Sequence, residues 1–364
     1  MNGVRPIRVV QISDLHFVED LYERGGKFRS KSFGAKSHSV DRAGVLSSTF
    51  NASPNRFDLL VATGDLTTDG SAGALQAVRD YFDKKRIDFD RNGGLQPYPL
   101  AGLSLSRDQR IMVPGNHDRY AGSKIPRQYS NDEFEVALEL ERQYPYVQAY
   151  IPPFRDDIAL AFFVVNSTPG PDLAKSFGRY TPSRIAGGVI PPRACADLAL
   201  MAGNVGSELV PAIGASDRTL DLSGRKIWKI VLLHHHPVGD SGRSGIIGGV
   251  RNAFSLEPLK AMENREMFVA ACADAEVDLV LFGHKHKQFD AVRPLAVPNG
   301  ANREVHFFCC PSTLQYKTDE KAGYYEIEFS EDAIDISLHE LQQGALRFTF
   351  SRAFNCECGV IRTP

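Results

Sequence analysis

The amino-acid sequence predicts an α/β fold rich in sheet, and three observations carry that expectation. Short runs of β-branched and aromatic residues recur along the chain, each stopping abruptly in a polar cluster. Long connections, some with helical spacing, separate most of them, as parallel crossovers require. From Gly323 to Phe354 the pattern changes to alternating stretches joined by turns, as in antiparallel strands.

Taken in order, the runs are IRVVQI (7–12), FDLLVAT (57–63), RIMV (110–113), ALAFFVVN (159–166), KIWKIVLL (226–233), VDLVLF (277–282) and VHFFCC (305–310). Between them, 71–85 places Leu75, Val78 and Phe82 on one helical face, with Asp69 or Ser71 as N-cap. The segment 255–275 does the same with Leu259, Met262, Val269 and Cys272 after Pro258. DEFEVALELERQY (132–144) reads as a third amphipathic helix, with Phe134 and Leu138 inward. Three excursions, 19–45, 119–156 and 168–225, are richer in Gly, Pro, Ser or charge than their flanks. With no linker and no internal repeat, residues 1–364 are expected to form one domain, strands within 305–350 completing a second sheet.

A chain of 364 residues is long enough for a large core. A net charge of −2 and a pI near 6.6 argue against a surface built to hold nucleic acid or anionic membrane. The N-terminal apolar stretch is short and interrupted by Arg8, and no run approaches the roughly 18 apolar residues of a membrane span. A soluble cytoplasmic protein is expected. Cys195, Cys272, Cys309 and Cys310 fall in no disulfide or zinc-ribbon spacing and read as core thiols; Cys356 and Cys358 form a C-x-C near the end.

The chemistry lies where the runs stop. Asp14 and His16 follow the first, Asp65 the second, and Asn116, His117 and Asp118 the third; His234, His235 and His236 follow KIWKIVLL, and His284 and His286 follow VDLVLF. In an extended segment, residues i and i+2 point the same way, so Asp14 with His16, and His284 with His286, each offer two side chains to one spot. Gly64, Gly115 and Gly283 before the ligands allow close backbone approach. Carboxylate and amide oxygens mixed with imidazoles suit Mn, Fe or Zn, and the set is too large for one ion. Any one of these residues alone reads more simply as a turn, cap or surface residue. Five blocks in order reverse that weighing.

The order D-x-H, G-D, G-N-H-D, H-x-P, G-H-x-H, running from Asp14 to His286, resembles the calcineurin-like metallophosphoesterase superfamily. The resemblance implies a four-layer α/β/β/α sandwich of two mixed sheets, with a dinuclear metal site at strand ends. It implies that Asp14, His16 and His286 hold one divalent or trivalent ion, that Asn116, His235 and His284 hold the other, and that Asp65 bridges both. His235 is chosen because it stands two before Pro237; His234 is its rival. His117 would face the substrate and stabilise or protonate it. The family often has an acidic partner three residues after the bridging aspartate, where this chain has Thr68, which leaves the orientation of His117 open. The implied activity is hydrolysis of phosphate esters by a hydroxide bridging the ions.

VVNSTPG (164–170), TGDLT and GNHDRY are similar to the bacterial cyclic-nucleotide phosphodiesterase branch, so a small phosphodiester is the expected substrate, cyclic nucleotides first. A phosphomonoesterase, a nuclease or a non-catalytic scaffold are the alternatives. Arg119, beside the G-N-H-D block, reads equally as a phosphate contact or as an outward-facing salt bridge. The basic cluster Arg24, Lys27, Arg29, Lys31, Lys36 and Arg42 reads either as a substrate-gathering loop or as a solvated one, and 242–250 as a flap. The helix in 119–156 is open to packing, a substrate cap or a homo-oligomer contact.

Overall fold

The computed structural model describes residues 5–17, 27–28, 38–52, 57–89, 98–121, 128–129, 132–141, 143–168, 170, 188–238, 262–296, 302–315, 322–341 and 348–357. Two mixed sheets carry the fold. The first has six strands in the spatial order Phe348–Glu357, Ala333–Leu341, Gly323–Phe329, Ile7–Ile12, Leu59–Ala62 and Arg110–Met112, the last three mutually parallel. The second has eight, in the order Ala215–Asp221, Leu209–Ala212, Tyr146–Tyr150, Ile158–Val164, Lys226–Leu232, Leu279–Phe282, Asn302–Cys309 and Phe289–Ala296. Its four strands from Ile158–Val164 to Asn302–Cys309 are parallel.

Side-chain alternation along these strands divides the core into three layers. Ile7 and Val9 join Ile230, Leu232 and Leu281 between the sheets, while Val10 and Ile12 turn outward to a helix layer. That layer comprises Val40–Asn51, Ala72–Asp83 and Glu133–Leu138, which contribute Leu46, Phe50, Leu75, Val78, Phe82, Phe134 and Leu138. On the far side, Val231 and Leu233 pack against Pro192–Asn204 and Arg265–Asp274. The stacking is α/β/β/α. Phe162 and Phe163 fill opposite faces of one strand, both fully buried, each contributing about 1.5–3 kcal/mol by transfer out of water.

The helix expected over 71–85 forms as Ala72–Asp83, with Ser71 Oγ accepting from Ala74 N at 3.3 Å. The helix over 132–144 is shorter, Glu133–Leu138, because Glu139 enters the left-handed region at φ 58°. Its inward Phe134 and Leu138 belong to the core, so its apolar stripe serves packing. In 255–275 the helix is Arg265–Asp274; residues 255–261 lie outside the described residues. Two expectations change. The C-terminal strands do not all extend one second sheet: Asn302–Cys309 joins the eight-stranded sheet, whereas Gly323–Phe329 pairs with Ile7–Ile12 in the other. Parts of the excursions are sheet, since Tyr146–Tyr150, Leu209–Ala212 and Ala215–Asp221 build one side of the eight-stranded sheet.

Candidate metal centre

The ends of parallel strands from both sheets meet, since the backbone N–H of His284 donates to Asp14 Oδ2 at 3.1 Å. The turns there are not extended. Asp14, His16, Asp65, His284 and His286 sit at φ 53°, 52°, 50°, 78° and 58°, in the left-handed region. Each such residue costs of order 1–3 kcal/mol and persists only where its surroundings fix it. Here they do. Asp14 and His16 donate N–H to the carbonyls of Gly64 and Asp65 at 3.0 Å each, and Ser312 Oγ donates to the Asp14 carbonyl at 2.9 Å. Asp14 and His16 still share a side, because Leu15 between them packs into the helix-side core. Gly64 is required: its φ is +87°, and a Cβ there would lie 2.6 Å from His234 Nδ1.

Two groups of donor atoms result, one from Asp14, His16, Asp65 and His286, the other from Asp65, His234 and His284. In the first, His286 Nε2 lies 3.2 Å from both His16 Nε2 and Asp14 Oδ1. His16 Nε2 is 3.9 Å from Asp14 Oδ1 and 3.9 Å from Asp65 Oδ2. In the second, His234 Nε2 lies 3.3 Å from Asp65 Oδ2 and 3.2 Å from His284 Nδ1. Bonds of about 2.0–2.2 Å to one ion place neighbouring donors at about this spacing. Asn116 opens the short helix Asn116–Arg119, and its Oδ1, like Asp14 Oδ1, is buried with no hydrogen bond. Buried oxygens without donors, beside converging imidazoles, fit a cation.

Among the three consecutive histidines the structure brings His234, not the expected His235, to Asp65 and His284. Strand parity is the reason. Ile230 and Leu232 face between the sheets, and His234 continues that face; Val231 and Leu233 face the helices, and His235 follows them. The proline register therefore misjudges the turn. His235 is buried, with its ring centroid 4.7 Å from that of His284 and Nδ1 2.9 Å from Ser167 Oγ. His236 packs between the rings of Phe282 and Phe289.

Electrostatics follow from this crowding. Burial alone would raise the Asp65 carboxyl, but the imidazoles of His234, His117 and His16 hold it well below the usual carboxylate range. Burial works against protonation of His234, yet Asp65 and then Asp14 push it up to about 9. Burial and the neighbouring His235 and His234 push His284 well down.

The Nδ1–H of His117 donates to the carbonyl of Thr68 at 2.7 Å, so a neutral backbone acceptor takes the place of the acidic partner. That bond leaves Nε2 as the nitrogen for substrate. The backbone N–H of His117 donates to Asp65 Oδ1 at 2.8 Å. Arg119 turns inward, 2 % exposed, onto the buried Glu135 carboxylate, which also accepts from Tyr144 Oη at 2.7 Å. It joins Asn116–Arg119 to Glu133–Leu138 through an ion pair that faces inward, not outward. In the basic cluster, Arg24, Arg29, Lys31 and Lys36 lie outside the described residues, as do 242–250 and Cys358.

Several residues outside the two donor groups support the site. Asp118 accepts from Thr67 N at 2.7 Å, Thr67 Oγ1 at 2.9 Å, Gly115 N at 2.8 Å and Leu66 N at 3.2 Å, locking the Asp65 and Asn116 turns together. Burial and the charge of Asp65 push its carboxyl up to about 7, against the pull of those donors. Ser13 Oγ donates to Asp14 Oδ2 at 2.6 Å. Thr313 N donates to the Ser13 carbonyl at 3.0 Å, from a segment with no ligand-like residue to flag it.

A family profile described as calcineurin-like phosphoesterase matches residues 7–288, and the chain belongs to that family. Membership together with the two Asp/His groups supports metal-dependent phosphoester hydrolysis. No curated protein matches the chain. Among solved structures it is similar to GAP50, the anchor in the inner membrane complex of Plasmodium, at 14 % identity over 98 % of this chain and 90 % of that one, with TM-score 0.46. It is also similar to the purple acid phosphatase PPD1 of yellow lupin, at 12 % identity over 98 % of this chain and 54 % of that one, with TM-score 0.49. For the NAD nucleotidase NadN of Haemophilus influenzae the values are 10 %, 97 %, 50 % and 0.38. Among the described residues, no helix is long and apolar enough to cross a membrane.

Proposed function

We propose that this protein is a dinuclear metal-dependent phosphodiesterase acting on a small phosphodiester in the cytoplasm, cyclic nucleotides first. The observation that carries the reading is the pair of donor groups sharing Asp65. Asp14, His16 and His286 would hold one ion, and Asn116, His234 and His284 the other, with Asp65 between them; His234 takes the place first given to His235. Bound there, two cations of the Mn, Fe or Zn type supply Lewis acidity toward a phosphoryl oxygen and lower the pKa of a water toward neutrality.

The chain's own residues do the rest. The left-handed turns at Asp14, His16, Asp65, His284 and His286 hold the donors in place before substrate arrives, so little reorganisation accompanies reaction. His117, fixed through Nδ1 to the Thr68 carbonyl, presents Nε2 to the phosphoryl group or the departing alkoxide, where it donates a hydrogen bond or a proton. The preference for a diester rests on the likeness of 164–170 and the G-D and G-N-H-D blocks to the cyclic-nucleotide phosphodiesterase branch.

The test compares bis(p-nitrophenyl) phosphate with p-nitrophenyl phosphate under Mn²⁺, followed by a panel of cyclic nucleotides. A diester rate at least tenfold above the monoester rate supports the reading. The reverse ratio makes the protein a phosphomonoesterase, and no turnover of either ester under Mn²⁺, Fe²⁺ or Zn²⁺ removes the enzymatic reading.

A further inference from the structure

The adjacent His234 and His235 differ in their hydrogen-bond bookkeeping, and one hydroxyl decides the difference. Ser167 Oγ, fully buried after the Ile158–Val164 strand, accepts the backbone N–H of His234 at 3.3 Å and of His235 at 3.1 Å. A hydroxyl has two lone pairs, and both are taken. Its one hydrogen is then left for His235 Nδ1, 2.9 Å away. A nitrogen that accepts carries no proton, so the proton of a neutral His235 ring sits on Nε2. Nε2 of His235 is thereby the protonated nitrogen and not a metal ligand.

His234 has the complementary arrangement. Its Nδ1–H donates to the Thr63 carbonyl at 2.8 Å, which leaves Nε2 for Asp65 and for an ion. We propose that Ser167 is the positioning residue of the second half-site: it pins the turn that aims His234 inward and locks His235 as the Nε2–H tautomer, which keeps His235 out of the coordination sphere. Neighbouring backbone reinforces the clamp, since Val189 N donates to the Ser167 carbonyl at 3.0 Å and Met262 N to the His236 carbonyl at 3.2 Å. Gly188 lies so close over His235 that any Cβ there would overlap the ring.

This inference rests on the two-metal reading, and the experiment separates the two. Metal stoichiometry and affinity are measured by elemental analysis and by calorimetric titration with Mn²⁺ on the full chain. The wild type is expected to hold two ions, and His234→Asn one. His235→Asn, whose amide oxygen keeps an acceptor for Ser167, is expected to hold two with affinity within about twofold. Ser167→Ala is expected to hold two, one of them 10–100-fold more weakly, the range seen when an outer partner of a ligand is removed. Loss of one ion in His235→Asn, or unchanged affinities in Ser167→Ala, overturns the proposal. Should Ser167→Ala not fold, ring ¹⁵N shifts of the metal-free wild type, assigned by difference from His235→Asn, decide it: an unprotonated Nδ1 on His235 is expected, and a protonated one overturns it. A wild type that binds no ions yet shows that tautomer removes the metal reading alone.

Discussion

Asp65 is where the charges of the site converge. It touches both donor groups, accepts from His117 N, and is opposed by three imidazoles. Asp65→Asn replaces a charged oxygen shared by two sites with a neutral amide, and is expected to lower turnover by more than the 10–100-fold typical of an outer-shell partner. Near-normal turnover of this variant under saturating Mn²⁺ would contradict the shared role. His117→Ala is expected to retain both ions while slowing turnover about 10²–10⁴-fold, the usual worth of a positioned acid or base. Elemental analysis checks the first half and steady-state rates the second. The pair Asp65 and His234 also makes a pH prediction for the metal-free protein. His234 is raised from 6.5 to about 9, so its stabilising protonation is complete below pH 6.5 and is lost as pH climbs through 9. Asp65 is lowered, so its contribution fades only at acid pH, below the ordinary carboxylate range. His284 is lowered, and its contribution is complete above pH 6.5. In chelator, the melting temperature is therefore expected to fall between pH 6.5 and 9, and Asp65→Asn to flatten that slope; a wild-type melting temperature constant over the window removes the ion pair.

At the scale of elements, the buried Arg119 and Glu135 tie the short helix bearing Asn116 and His117 to Glu133–Leu138, itself seated on Ala72–Asp83 through Phe134 and Leu138. Removing one partner of a buried pair leaves an uncompensated charge and costs about 3–5 kcal/mol. Arg119→Ala is thus expected to lower stability in urea by that amount, with KM for the diester little changed; a raised KM at unchanged stability would restore Arg119 as a phosphate contact. The sequence held the charged residue and its place beside the site but not its partner, because Glu135 lies on a separate helix and nothing in a linear pattern says which way Arg119 turns. The same limit explains the histidine run. Spacing to Pro237 favoured His235, whereas the three-layer core makes Ile230, Leu232 and His234 one face, a fact about sheet stacking and not about motifs. What was legible were the strands with two-residue alternation, the Ser71-capped helix, and the ligand blocks at the strand ends. Ser167, Ser312 and Thr313 were not, since a serine beyond a strand looks the same whether it clamps a site or meets water.

Across the whole molecule, the candidate ligands come from both sheets. Asp14, His16, Asp65 and Asn116 follow strands of the six-stranded sheet; His234, His284 and His286 follow strands of the eight-stranded one. Each donor group draws on both, so an ion in either place joins the two halves of the sandwich at their shared edge. That edge holds buried Asp14 and Asn116 oxygens with no hydrogen bond, which bound cations would satisfy. The apolar layer between the sheets is continuous from Ile7 to Leu338 and does not depend on them. Chelation is therefore expected to loosen the edge without unfolding the sandwich. Binding at 100 times the dissociation constant adds about 2.7 kcal/mol per site, so saturating Mn²⁺ should raise the melting temperature by several degrees over protein in chelator. Hydrogen exchange locates the effect: protection on adding Mn²⁺ is expected at 13–17, 64–68, 115–118, 233–236 and 283–286 in both sheets together, with the strand interiors unchanged. Protection confined to the blocks of one sheet would show that the ions do not bridge the two.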